Sequence, residues 1–315
     1  MTSNSVPRSI GRRLRFAQLE LVHEVAECGN LAEAAARLHL TRAAVSKAIK
    51  ELERSLGQTL FERSRQGMAP TAAGLRVAKH ARLLVNQLRH LTDEVASADA
   101  GGGGVLRIGM PPFVAEHVAP PILRRLRANA PAAAGTIQVQ EGRLHTLLEQ
   151  LLRGEVDAVL SLYAPRAVDA LDLSMLDIRP FLTVPMAVIA APQLGVPVRR
   201  HRWADLLRYA WILPPASTHQ RRSFDEMFTA RGSRAPTPLV ESGSLAANVQ
   251  FAAEGLGLAV VPRQAAEREI ASGRVQVVDV RPALPETAVA LMYRKVSAIY
   301  MDALRHLDQA VAGAR

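Results

Sequence analysis

The chain has a single cysteine, Cys28, and aromatic residues make up only 4% of its 315 positions. A lone thiol closes no intrachain disulfide, and no partners stand near it at zinc-knuckle or CxxC spacing. The expectation is a reducing, cytoplasmic setting. No apolar run approaches the roughly 20 residues that cross a bilayer, and the best candidate, 184–191, is interrupted by Pro185 and followed by Pro192. Arg12, Arg13 and Arg15 have the look of an export signal, but Glu20, Glu24 and Glu27 occupy the place of its apolar segment. Also missing are a GxSxG elbow, a GxxxxGK[ST] phosphate loop and an HExxH pair, and Gly255-Leu-Gly257 falls well short of a dinucleotide fingerprint. His117, His145 and His219 lack metal-ligand spacing. These absences argue against an enzyme, a metal site, a cofactor and a membrane protein.

What is present is positive charge on a globular background. Hydrophobic residues are 49%, charged residues 22%, and the formal net charge is +10. Lys and Arg gain free energy by displacing counterions from phosphates, so a polyanionic partner is favoured. The charge is modestly denser at the start, where residues 1–70 hold eleven Lys/Arg against seven Asp/Glu.

The tract Gly101-Gly102-Gly103-Gly104 supports no helix cheaply and offers nothing to pack, so it reads as a hinge at 101–104 between domains. Before it the pattern is helical almost throughout. After it, strand-like runs at 106–110, 136–140, 156–161, 186–191 and 258–261 alternate with helical stretches at about 120–128, 144–152, 222–231 and 244–254. That alternation predicts a mostly parallel sheet in a ligand-binding α/β domain over 105–315.

The first part carries the sharpest pattern. A helix over 14–28 ends at Gly29, Asn30 caps a short second helix over 31–38, and Thr41 caps a third. In the third, Val45, Ile49, Leu52 and Leu56 recur at steps of four, three and four, while Arg42, Ser46, Lys47, Lys50 and Arg54 take the other side. Two helices joined by a short turn, the second with donors near its start, suit a major groove about 12 Å wide. A basic helix face is also commonly no more than a solvated surface. From Thr71 a long helix to about residue 98 places Val77, Ala81, Leu84, Leu88, Leu91 and Val95 at alternating steps of four and three, which fits a coiled-coil seam or a helix packed on its own domain.

The run Asn30 to Glu53, with Leu56-Gly57, Leu60-Phe61-Glu62-Arg63 and Pro70-Thr71-Ala-Ala-Gly74, closely resembles the N-terminal signature of LysR-type transcriptional regulators. Looser likeness continues through Leu106-Arg-Ile-Gly109, Gly154-Glu-Val-Asp157, Trp211-Ile-Leu213, Val240-Glu-Ser242 and Glu254 to Pro262. The resemblance implies an α+β multidomain chain. A winged helix-turn-helix would span 1–71 and a linker helix 72–100, whose Val77, Ala81, Leu84, Leu88, Leu91 and Val95 would serve dimerisation. A periplasmic-binding-protein-like effector domain would follow, with one subdomain at about 105–176 and 281–315 and the other at about 177–280. Crossover strands are expected near 176–184 and 277–290.

By position in that motif, Arg42, Ala43, Ser46 and Lys47 face the groove, Thr41 and Lys50 lie nearer phosphate, and Arg63 and Arg65 of the wing meet the backbone. Arg42-Ala43 stand where the family often has Gln followed by Pro or Ser, and Arg favours guanine where Gln favours adenine. Strand ends place Pro111, Pro112, Phe113, Ser161 and Leu162 on one wall of an effector cleft, and Ser217, Thr218 and Ser242 on the other. The prolines and Phe113 make the first wall apolar. Ser217 and Thr218, with Arg221 or Arg222, would suit an anionic effector.

The implied partners are double-stranded promoter DNA, a small-molecule effector, RNA polymerase and further copies of the chain, as a homodimer or homotetramer. Two other readings fit the composition: an α/β enzyme fused to a DNA-binding module, and a nonspecific architectural DNA-binding protein.

Overall fold

The structure, a computed structural model, describes residues 14–64, 67–98, 104–130, 135–163, 171–230, 232–297 and 301–313. The chain divides into two compact units, Met1–Val105 with Glu149–Glu155, and Leu106–Leu148 with Val156–Arg315. Residues 101–103 of the expected hinge lie outside the described residues.

In the first unit α1 (Phe16–Cys28), α2 (Leu31–Arg37) and α3 (Arg42–Leu56) precede a hairpin, β1 (Phe61–Ser64) and β2 (Gly67–Pro70), and α4 (Ala72–Ala98). Local chemistry sets the breaks. Gly29 ends α1 in the left-handed region, and Asn30 Oδ1 accepts from Ala32 N at 2.8 Å to start α2. Val22, Val25, Ala34, Ala35, Val45, Ile49, Leu52 and Leu60 form one core with Phe61 and Ala78. Each large aliphatic side chain so buried contributes about 1.5–3 kcal/mol.

The wing is fastened at both ends. Met68 N donates to Gly29 O at 2.8 Å, and a side chain on Gly67 would bring Cβ to 2.4 Å from that same oxygen. Gly74 in the first turn of α4 is similarly confined, because an added Cβ would lie 1.9 Å from Leu60 O.

The second unit holds two five-stranded sheets. The first is ordered β4 (Thr136–Glu141), β3 (Val105–Met110), β5 (Ala158–Tyr163), β14 (Thr287–Arg294), β6 (Leu176–Val184). Helices α5 (Pro112–His117), α6 (Ala119–Asn129), α7 (Leu144–Arg153) and α11 (Asp302–Ala312) accompany it. The second sheet is ordered β10 (Val240–Glu241), β9 (Trp211–Leu213), β11 (Leu258–Pro262), β7 (Met186–Ala190), β12 (Gln276–Val278), with α8 (His219–Thr229), α9 (Leu245–Ala253) and α10 (Glu267–Ala271). A short parallel pair, β8 (His201–Arg202) with β13 (Val280–Arg281), lies beside them in sequence.

Both sheets are more mixed than the expected parallel arrangement. β14 runs antiparallel to β5 and β6, and β7 runs antiparallel to β11 and β12. The reason is that the chain crosses between the sheets twice. β6 pairs with β14 from Leu176 to Val184, so the first crossing falls at Pro185 and not at the expected boundary of 176/177. The return runs from β13 to Thr287, inside the expected 277–290 span.

A buried ion pair staples the first sheet. Asp157 Oδ2 accepts from Arg107 N at 2.8 Å, Arg294 Nη1 donates to Val156 O at 2.8 Å, and Arg294 Nη2 stands 3.8 Å from Asp157 Oδ1. Both side chains are almost fully buried. Removing either partner would leave the other charge uncompensated, which is costly in a dry interior. Asp157, prominent in the sequence, is therefore a structural residue of the β3–β5–β14 junction.

Candidate nucleic-acid interface and effector cleft

The exposed basic face that the sequence predicts to meet DNA is built on α3. Thr41 Oγ1 accepts from Ala44 N at 3.2 Å, satisfying a free donor at the helix start. The turn before it carries His39 at φ 54°, a backbone region that non-glycine residues seldom occupy. With Val45, Ile49 and Leu52 facing inward, Arg42, Ala43, Lys47, Lys50 and Arg54 are exposed and Ser46 is half-buried. Six of the eight sequence-predicted DNA contacts thus share α3 or its cap. Arg63 lies on β1, and Arg65 lies outside the described residues.

Sequence reading missed Glu53, which occupies the half-buried side of α3. Its Oε1 accepts from Leu60 N at 2.7 Å and Phe61 N at 3.2 Å, tying the recognition helix to the base of the wing. Thr71 completes the joint: its hydroxyl donates to Thr59 O at 2.8 Å and accepts from Gly74 N at 3.0 Å. A surface-looking glutamate in a Glu-Leu-Glu run gives no signal of this role.

The predicted seam on α4 divides in two. Val77 packs against the helix-turn-helix core and Ala81 is buried, whereas Leu84, Leu88, Leu91 and Val95 are exposed and repeat at steps of four, three and four. Helical rotation explains the split, since the buried row Ala78, Ala81 and Val85 lies next to the open stripe.

In the second unit the C-terminal ends of β3 and β5 carry one set of predicted cleft residues. Pro111 caps α5 and is half-buried, and Pro112 at its first position is exposed. Phe113 is only 5% exposed and packs in the first core with its ring centroid 5.2 Å from that of His117, so it supports the wall from behind instead of lining it. Ser161 is also buried, its hydroxyl donating to Leu162 O at 3.2 Å, while Leu162 is half-buried against the same core.

On the other sheet, Thr218 is consumed locally. It caps α8 by accepting from Arg221 N at 3.2 Å and donates to Pro215 O at 2.8 Å. Arg221 Nε donates to Asp225 Oδ1 at 2.9 Å and Nη1 stands 3.7 Å from Glu241 Oε2, while Arg222 Nη1 donates to Ser217 O at 3.0 Å. The expected arginine partners of an anion are thus engaged within the protein. Ser217 is exposed, and Ser242 is half-buried beside the start of α9.

The two edges meet at a residue that sequence reading passed over. Gly142 N donates to Met110 O at 3.3 Å, which sets Arg143 beside the end of β3. A methyl placed on Gly243 would lie 3.7 Å from Arg143 Nη2 and 3.9 Å from Pro215 Cδ. Arg143 therefore reaches from the first subdomain to the strand-end loops of β9 and β10 in the second.

Two family models match the chain in turn. Residues 16–75 match the model for the bacterial regulatory helix-turn-helix protein, lysR family, and residues 99–307 match the LysR substrate binding domain. The chain is 32% identical over 254 residues to the probable HTH-type transcriptional regulator LrrA of Synechococcus elongatus, covering 80% of this chain and 82% of that one. To the HTH-type transcriptional regulator GalR of Pseudomonas putida it is 31% identical over 276 residues, 87% of this chain and 67% of that one. Its fold is similar to that of full-length CbnR complexed with its target DNA, at a TM-score of 0.64 and 21% identity, with 96% and 100% of the two chains covered. Full-length LysG from Corynebacterium glutamicum with bound effector Arg gives a TM-score of 0.63 at 20% identity, with 96% and 98% covered. No described helix is long and apolar enough to cross a membrane. With both of its halves matched, this chain belongs to the LysR family of transcriptional regulators, joining a DNA-binding helix-turn-helix to an effector-binding domain.

Proposed function

We propose that α3 enters the major groove of a promoter, with Arg42, Ala43, Ser46 and Lys47 toward base edges and Thr41, Lys50, Arg63 and Arg65 toward the sugar-phosphate backbone. The observation that carries this reading is the division of α3 into an inward aliphatic face, with Val45, Ile49 and Leu52 buried, and an exposed cationic one. Phosphate contacts set register and base contacts set sequence, so one helix face supplies both affinity and choice. The protein acts in the cytoplasm as a regulator without catalytic activity of its own. The open stripe Leu84, Leu88, Leu91 and Val95 pairs α4 with its counterpart in a second copy, which presents two recognition helices to a partly palindromic operator. A small molecule held between the two α/β subdomains alters that binding.

Fluorescence anisotropy with the chain's own upstream region tests this. The expected result is binding at least about a thousand-fold tighter than to scrambled duplex, altered by a metabolite. Equal affinity for both duplexes would overturn it.

A further inference from the structure

We propose that the second subdomain carries a docking surface for an acidic peptide segment of a partner protein. Arg199, Arg200, Arg202 and Arg281 would meet its carboxylates, and the groove beside Trp203 would take one apolar side chain.

The surface begins with a charge arrangement that folding alone does not favour. β8 and β13 run parallel with Arg202 in register with Arg281, and both residues are exposed. Like charges placed side by side on a ladder are destabilising. Arg199 and Arg200, on the loop into β8, extend the row with side chains 58% and 71% exposed. Two carboxylates stand among the four guanidinium groups. Asp279 is shared by Arg200 Nε and Arg281 Nε, each at 3.4 Å, and Asp205 Oδ2 lies 4.0 Å from Arg199 Nη2. Toward Arg202, Asp205 accepts from the backbone N at 3.0 Å. Positive charge is therefore left over at the row.

Beside the row lies a groove of about 330 Å³ whose lining includes Arg202, Arg281, Trp203, Met227, Phe228 and Ser233. Its floor is rigid. Trp203 and Phe228 are 2% and 1% exposed with ring centroids 5.5 Å apart, and Trp203 Nε1 donates to Pro282 O at 2.9 Å. Met227 on α8 is half-buried at the groove, and a flexible thioether adapts to apolar groups of different shape.

The combination of row and groove selects the partner. Residues 199–202 alone span about 10 Å in an extended chain, more than one small carboxylate can engage. A DNA duplex would use the arginines but has no apolar side chain to offer the groove. Single-stranded nucleic acid stacks its bases on open aromatic faces, and here Trp203 and Phe228 are packed against Trp211 and Phe224. An acidic segment with one large apolar residue satisfies both halves of the surface.

The test uses the full chain and fluorescein-labelled peptides in anisotropy. One peptide has a phenylalanine flanked on each side by aspartates, a second has alanine for the phenylalanine, and a third has asparagines for the aspartates. The natural chain and the surface control Arg268→Gln should bind the first peptide, more weakly as salt rises. Arg202→Glu combined with Arg281→Glu should weaken that binding about 10-fold or more, and both altered peptides should bind the natural chain less well. The first peptide should also slow peroxide oxidation of Met227 in the natural chain, read by peptide mass spectrometry, which needs no variant to fold. No binding by the natural chain, equal binding by the double variant, equal binding of either altered peptide, or an unprotected Met227 would overturn the proposal. Protection of Met227 by duplex DNA or by benzoate but not by the peptide would also overturn it, and would assign the surface to nucleic acid or to a small molecule.

Discussion

Replacing Glu53 by alanine should loosen the wing from the recognition helix without touching any residue assigned to DNA. Glu53 Oε1 is the acceptor for two backbone donors, Leu60 N at 2.7 Å and Phe61 N at 3.2 Å, on residues whose side chains are 0% and 5% exposed. Removing an acceptor from a buried donor costs about 1–3 kcal/mol, more when the acceptor is charged. The Phe61 bond is the longer one, and water can reach part of the half-buried Glu53 site, so the two together should cost about 2–4 kcal/mol locally. Glu53→Gln keeps a carbonyl oxygen in place and should lose about half as much. Hydrogen exchange on the full chain reads this directly: the amides of Leu60 and Phe61 should exchange about 30- to 700-fold faster in Glu53→Ala, with smaller changes within α1. Protection at those two amides unchanged within about three-fold would refute the claim that Glu53 joins helix and wing.

Lys50→Ala should flatten the log–log salt dependence of DNA binding by about one unit of slope while lowering affinity evenly across sequences; an unchanged slope would remove Lys50 from the phosphate contacts. Leu88→Glu combined with Leu91→Glu, at positions already 40% and 54% exposed, should leave each copy folded but reduce self-association in sedimentation experiments; an unchanged assembly would place the interface elsewhere. Burial, followed by the charges of Asp308 and Asp177, pushes the Tyr293 phenol up to about 12, and its hydroxyl donates to Asp177 Oδ2 at 3.1 Å. The raised value means that the stability Tyr293 lends is present below pH 10 and is lost as pH rises toward 12. Absorbance titration should show a late step near pH 12 that Tyr293→Phe abolishes; titration curves that are the same with and without Tyr293 would contradict it.

Why some of this was readable in the sequence, and some was not, has physical causes. α3 announced itself because its burial is one-sided and helical period converts that into a pattern, so Val45, Ile49 and Leu52 marked both the element and its outward face. Caps at Asn30, Thr41 and Thr71 were equally local. β14 was harder: from Val289 to Tyr293 it is buried on both faces, which erases the alternation that identifies a half-buried strand. α5 escaped notice because Pro111-Pro112 reads as a break, although proline is well suited to the first turn of a helix. Strand ends alone do not say which of the neighbouring side chains turn inward. Phe113 and Ser161 turned inward, and Arg143 became relevant only because the topology sets the loop after β4 opposite Gly243. Contacts between segments a hundred residues apart leave no local trace in a single sequence.

Sequencing the genomic fragments that the purified protein retains from a sheared library of its own genome, for the natural chain and for Arg42→Ala, bears most directly on sequence-specific reading by α3. A small set of sites sharing one two-part motif is expected, with half-sites one helical turn or more apart. Arg42→Ala should weaken those sites by about 1–3 kcal/mol and relax the preference at one base position in each half. Even retention across the genome, or a motif untouched by Arg42→Ala and by matching changes at Ser46 and Lys47, would contradict it.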